Sequence, residues 1–176
     1  MILGAAAYRL APHPYNIAPL GAMALVGGLY FGRRYALWVP LIALAATDLI
    51  LNQQAGYPVL YWPRAFDYSA FLLIGALGLW ARQRSFGTKL GSVAATPFMF
   101  YLISNFGVWL FGLNLANQFY PKTVTGLTEC YVAGLPFLRG TMIGDWAFVA
   151  AFGVAMVAAK STAGARASWL TAEAKA

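Results

Sequence analysis

Hydrophobic positions along the chain gather into long blocks separated by short polar breaks. Five blocks, approximately Tyr15–Gly32, Tyr35–Leu51, Phe66–Trp80, Leu90–Leu113 and Thr141–Ala159, approach or exceed the length of about 20 residues that a helix needs to cross a bilayer. The third is short, but Tyr61 and Trp62 ahead of it extend it into the interface. A sixth piece, Met1–Leu10, is apolar yet covers only half a membrane. Without a basic start or a long apolar centre ahead of a cleavage site, it reads as the stump of a first helix and not as a secretory signal. The stretch Leu113–Gly140 is mixed, and its apolar part, Leu127–Leu138, is interrupted by Pro136. It is predicted to be an extracytoplasmic loop carrying a short helix, or a re-entrant segment. The expected architecture is an all-α integral membrane protein, a bundle of five full transmembrane helices plus a truncated N-terminal helix. One domain covers residues 1–160, and a short cytoplasmic tail covers 161–176.

Composition agrees with that pattern. Apolar residues make up 61% of the chain and charged residues 10%, against about 25% charged in an ordinary soluble domain. A disordered chain, a nucleic-acid-binding domain and an ordinary cytosolic enzyme are excluded together. The net charge of +7 comes from where the bases sit. Arg33, Arg34, Arg82, Arg84, Lys89, Lys160, Arg166 and Lys175 fall on one side of a five-crossing chain, with Glu173. Arg9, Arg64, Lys122 and Arg139 fall on the other, balanced by Asp48, Asp67, Glu129 and Asp145. The first side carries the whole excess, as the cytoplasmic face of a bacterial inner-membrane protein should. The C-terminus is therefore expected in the cytoplasm. Were 123–138 also to cross, the last bases would point outward.

Ionisable groups at membrane depth are the most informative candidates, because each is costly unless paired or hydrated. Asp48 and Asp145 are expected near the outer ends of their helices, on the same side as His13, Asn16, Arg64, Glu129 and Arg139. Interfacial Tyr and Trp anchoring explains any one of these residues; the whole set fits a polar pocket open to the outside. Asn105 and Trp109 lie one helical turn apart. They suit either a planar polar ligand or an interhelical hydrogen bond. Small residues at four-residue spacing, such as Gly28 and Gly32 or Gly87 and Gly91, suit close packing within the bundle or docking onto another protein.

Signatures of catalysis are missing. No phosphate-binding loop of the Gly-x-x-x-x-Gly-Lys-Ser/Thr form is present, so ATP hydrolysis is not expected of this chain. One Cys and one His preclude a disulfide framework and a Cys/His zinc cluster. His13, between Pro12 and Pro14, is either an axial metal ligand or a hydrogen-bonding loop residue. The chain is thus not expected to be an enzyme, and no cofactor is implied.

Several segments resemble an uncharacterised bacterial family of membrane proteins labelled as transport proteins. They are Arg9–Leu25 with Gly27–Gly32, Leu44–Leu51 with Asp48, Ser104–Trp109, Tyr120-Pro121 with Thr125-Gly126-Leu127, Cys130–Phe137, and Gly144-Asp145. The resemblance extends over roughly residues 9–155. Members look like the substrate-binding S subunits of energy-coupling-factor (ECF) transporters. This implies a six-helix bundle with both termini cytoplasmic and an outward-facing ligand pocket. The function so implied is capture of a small nutrient, energised by a separate transmembrane or ATPase module. The alternative is a non-catalytic accessory subunit packed into a larger membrane complex. The short N-terminal segment departs from the pattern where such subunits dock. The bilayer and a small-molecule ligand are the expected partners, and nucleic acid is not. His13, Asn16, Asp48, Arg64, Asn105, Trp109, Glu129, Arg139 and Asp145 are the candidate substrate-binding residues.

Overall fold

The computed structural model describes residues 19–55, 61–114 and 116–173. Among them are five helices and no strand. Helix α1 (Leu20–Val26) widens into a π-helical turn over Gly27–Phe31, and α2 (Arg33–Ala55) follows at once. Then come α3 (Pro63–Ala81), α4 (Phe86–Phe111) and α5 (Val124–Glu173).

Local chemistry sets the boundaries. Gly32, at φ 93°, takes the left-handed conformation that lets the chain reverse between α1 and α2. Pro63 opens α3 at a position where its missing N–H costs nothing. Ser85 caps α4 by accepting the Thr88 N–H at 3.3 Å, and the Thr123 hydroxyl accepts from Gly126 at 3.2 Å to start α5.

Helix α1 sits at the centre and touches all four other helices. Every residue from Leu20 to Leu29 is buried. Its contact with α3 is backbone on backbone, since a Cβ on Gly28 would lie 2.5 Å from the Gly75 carbonyl oxygen. One core cluster joins Leu20, Met23, Leu44 and Phe71, and another joins Ala24, Leu25, Leu29, Ile74 and Ala81. Outside, large apolar side chains face away from the bundle, among them Trp38, Ile42, Leu73, Leu102, Val154 and Val157. Inside lie Thr47, Asp48, Ser92, Thr96, Thr141 and Asp145.

One sequence expectation is corrected and another is met in part. Residues 124–138, expected within a loop carrying a short helix or a re-entrant segment, form the start of α5, which runs unbroken through Pro136. One proline forfeits one helical hydrogen bond, while leaving the helix would strand many more backbone groups in an apolar setting. Helix α5 also continues into the expected tail, as far as Glu173. The all-α architecture is present. Of the five expected spans, two stretches among the described residues, α4 and Val124–Ala159 of α5, are long and apolar enough to cross a membrane. Leu20–Phe31 and Leu41–Leu51 are shorter apolar helices. The truncated N-terminal helix lies outside the described residues.

Candidate functional site

The two ends of the bundle differ in chemistry. At one end the α1–α2 and α3–α4 turns meet, with the Arg82 guanidinium 3.5 Å from where a Cβ on Gly32 would stand. Arg33, Arg34, Arg84 and Lys89 belong to these turns, and Phe152 of α5 packs on Tyr30 and Phe31 beside them. At the other end residues 112–114 and 116–123 form a small hairpin. It is closed by the Leu113–Phe119 bridge and by Asn114, whose side-chain oxygen accepts from Ala116 and Gln118 at 3.0 Å each. The hairpin is pinned to α4 by Trp109, whose indole N–H donates to the Pro121 carbonyl at 2.9 Å. The Lys122 ammonium reaches back to the Trp109 carbonyl and lies 5.4 Å from its ring centre.

Under this hairpin lies a cavity of about 400 Å³, within the range of small-ligand sites. Helix α1 contributes Leu20 and Gly21, α2 Leu44, and α3 Asp67 and Phe71. Phe100, Ser104, Asn105 and Val108 come from α4, and Ala133, Gly134, Phe137 and Thr141 from α5. Leu113, Asn114 and Tyr120 of the hairpin complete the lining. Phe71 and Phe100 stack at 5.0 Å, giving the wall a flat aromatic part. Burial, and secondarily the neighbouring Cys130 thiol, pushes the Tyr120 phenol above its ordinary range, so it stays a neutral donor at physiological pH.

Helices α4 and α5 are strapped together beside the cavity. Tyr101 donates to the Tyr131 carbonyl at 2.5 Å, and Tyr131 donates to the Leu102 carbonyl at 2.8 Å. Cys130 is buried and donates its S–H to the Asn105 carbonyl at 3.3 Å, a structural role for the lone thiol. The Asn105 amide nitrogen donates to the Tyr101 carbonyl at 2.8 Å. Its oxygen rests on Gly134, where a Cβ would collide with it. Gly134 is therefore what gives the amide its place at the cavity wall.

The described candidate residues do not converge. Asn105 alone among them lines the cavity. Trp109 holds the hairpin in place and does not form a wall of the cavity. Asp48 is buried against Arg64 in an ion pair and accepts from the Tyr68 hydroxyl at 3.0 Å, away from the lining. Glu129 and Arg139 are exposed on α5. Asp145 is not at the outer start of a helix. It lies 21 residues beyond Val124, roughly 30 Å along α5, beneath the cavity and against α1. Its Oδ1 accepts the Ala22 N–H at 2.8 Å, satisfying one of the free donors at the start of α1. Its Oδ2 has no hydrogen-bond partner among the described residues. His13 and Asn16 lie outside the described residues.

Five polar lining groups, Asp67, Ser104, Asn114, Tyr120 and Thr141, are not among the residues the sequence singles out for binding. Thr141 is one turn before Asp145 on α5, a spacing that points to it. The charge pattern assigns Asp67 to the outer side, but its convergence with Tyr120 on one cavity depends on how α3 and the hairpin pack, which is non-local.

No curated protein and no solved structure matches the chain. The model of a family of unknown function (DUF6580) matches residues 1–167, nearly the whole length, and the chain belongs to that family.

Proposed function

We propose that this chain is a multi-pass protein of the bacterial cytoplasmic membrane that captures a small solute in the hairpin-covered cavity and works with a separate energising module, as ECF S subunits do. The observation that carries the reading is the cavity itself, where polar groups on three helices and a hairpin converge beside stacked aromatic rings.

Immersion of the whole bundle is supported by its inverted polarity. Trp38 is 63% exposed and Val154 71% exposed, while Asp48 and Asp145 are 3% and 1% exposed. In water such a distribution leaves a continuous apolar surface; in lipid it is the expected one. Val124–Ala159 spans 36 residues, about 54 Å of helix, enough for one crossing of core and headgroups together. A single long crossing by α5 keeps its C-terminal half at the end that carries Arg33, Arg34, Arg82, Arg84 and Lys89. That orientation puts the C-terminus in the cytoplasm and the cavity outside.

The test is native mass spectrometry of the protein purified gently from its own host. A retained small molecule is expected in the wild type. It should be lost from Val108→Phe, which fills the cavity, and reduced in Asn105→Leu, which keeps shape but removes the amide. A wild type without any adduct, or an adduct that survives Val108→Phe, overturns the reading. The accessory-subunit alternative draws on one feature, the open face of α4. A Cβ on Gly91 would meet nothing within 4 Å, and Phe86 and Leu90 beside it are 81% and 58% exposed.

A further inference from the structure

We propose that the basic end of the bundle is a site for an anionic phospholipid of the cytoplasmic leaflet, its phosphate held by Arg82 together with Arg33 and Arg34 and its acyl chains laid along α4 from Phe86 and Leu90. The proposal rests on the membrane placement and orientation given above and is independent of solute capture.

Backbone packing brings the bases together. Helices α1 and α3 meet glycine against glycine, a Cβ on Gly78 lying 3.2 Å from the Gly28 Cα. Gly32 and Arg82 each follow four residues later, about one turn farther along both helices. The Arg82 guanidinium accordingly stands 3.5 Å from where a Cβ on Gly32 would be. Arg33 and Arg34 come directly after Gly32 and are exposed. Both turns are fixed by their own backbone, since the Gly32 N–H donates to the Gly27 carbonyl at 3.1 Å and the Arg84 N–H to the Ala81 carbonyl at 3.0 Å. Arg84 lies over the Trp80 ring, 5.1 Å from its centre. An excess of bases on the cytoplasmic side requires only that they lie in the connecting turns. Packing one basic turn onto the other goes beyond that requirement.

No acid answers these charges. Among the described residues none of Arg33, Arg34, Arg82, Arg84 and Lys89 is in an ion pair. Asp48 is on Arg64 and Asp145 is on the Ala22 N–H, while Asp67 and Glu129 belong to the first turns of α3 and α5, toward the hairpin end. Like charges gathered in this way repel one another, and a phosphate relieves the repulsion because its oxygens fit the guanidinium fork two at a time. The surface beside the bases is apolar. Trp80, Phe86 and Leu90 are 54%, 81% and 58% exposed. Phe86 and Leu90 share one stripe of α4, and a Cβ on Gly91 would meet nothing within 4 Å, which leaves room for a chain against the helix. A free phosphate ion would use the arginines and leave that stripe bare. A phospholipid uses both, and basic pockets between helices on the cytoplasmic side suit its headgroup.

The full chain in mild detergent is mixed with phosphatidylglycerol, with phosphatidylethanolamine of the same acyl chains, or with inorganic phosphate, and adducts are counted by native mass spectrometry. Phosphatidylglycerol is expected to be retained roughly tenfold better than phosphatidylethanolamine, and phosphate not at all. Arg82→Gln should weaken that retention about fivefold and Arg33→Gln with Arg34→Gln further, while Arg139→Gln, which removes the same charge from an exposed site on α5, should leave it unchanged. Equal retention of the two lipids overturns the proposal, and so does retention of phosphatidylglycerol that survives loss of the three arginines. An equal loss in Arg139→Gln marks diffuse attraction to net charge and overturns the site as well. A phosphate adduct lost in Arg82→Gln assigns a free ion instead. A co-purifying protein released by Arg82→Gln, with lipid retention unchanged, assigns the surface to that protein and overturns the lipid. Solute capture is decided separately by Val108→Phe, and the orientation by a reporter at each end of α5.

Discussion

The ion pair between Asp48 and Arg64 is the strongest test of how this bundle holds its polar groups. The Asp48 side chain is 4% exposed and the Arg64 side chain 22%, so the two partners are not equivalent. Arg64→Met leaves a buried carboxylate with the Tyr68 hydroxyl at 3.0 Å but without its main counter-charge. Breaking a buried pair from that side costs about 3–5 kcal/mol. Asp48→Leu leaves a guanidinium that can turn toward water, and should cost less, roughly 1.5–3 kcal/mol, the worth of a hydrogen bond to a charged group. With both replaced, neither charge of the pair is left without the other and two apolar side chains fill the space, so the double variant should be less destabilised than Arg64→Met alone. Unfolding in mild detergent, followed by tryptophan fluorescence, reads the cycle. At about 2–4 °C per kcal/mol for a domain of this size, Arg64→Met should unfold roughly 6–20 °C lower. If Arg64→Met unfolds with the wild type, or the double variant falls by the sum of the singles, the pair does not stabilise the fold in this way.

Gly28→Ala should disrupt folding, because its Cβ would meet backbone atoms of Gly75, Gly78 and Leu79 at 2.5–2.8 Å, whereas Gly91→Ala, with nothing within 4 Å, should shift stability by less than about 0.5 kcal/mol. Expression level and unfolding temperature distinguish the two. Trp109→Phe removes the indole donor that holds Pro121, and tryptic cleavage at Lys122 should accelerate severalfold in a limited-proteolysis time course. A reporter fused after Lys175 should behave as cytoplasmic and one inserted at Asn117 as extracytoplasmic; the same side for both would refute a single crossing by α5. Asp145→Asn keeps an acceptor for the Ala22 N–H and should leave the unfolding temperature of the ligand-free protein unchanged or higher, in contrast to the loss at Asp48.

Most of the helices are legible in the sequence because runs of apolar residues broken by turn chemistry are local. Gly32 with Arg33 and Arg34, and Arg82 to Ser85, mark turns that the structure places where expected. The end of α4 is also readable, since Gly112 and Asn114 follow the last apolar turn. The start of α5 is not. Thr123 is a good cap and Gly126 its partner, but Pro136 and the polar residues around Lys122 argue locally for a loop. What decides the matter is the packing of α5 along α4 through Tyr101, Asn105, Cys130 and Tyr131, which is non-local. The depth of Asp145 is hidden for the same reason. With 123–138 taken as a loop, the last span begins too late and its acid falls at the surface. The cavity lining is the least legible part, because Gly21, Asp67, Tyr120 and Gly134 come from four separate segments and only the tertiary fold brings them together.

Two buried acids with nearly equal exposure thus serve different ends, and the difference lies in their partners. Asp48 has a guanidinium and a phenol on its two oxygens, and it stands apart from the cavity lining. Its chemistry is closed, and its effect is to tie α2 to α3. Asp145 has the Ala22 N–H on one oxygen and nothing among the described residues on the other, and the residues that bring it to the cavity are small or already bonded within their own helices. If Asp145 served packing alone, a smaller or neutral side chain would fill the same space without an unsatisfied oxygen. Gly21, whose Cβ would collide with that oxygen, makes room for the carboxylate in particular. An unsatisfied group at this depth is a cost the folded chain bears by itself. The arrangement therefore sets Asp145 apart from Asp48: one oxygen joins α5 to the start of α1, and the other is left open at that contact.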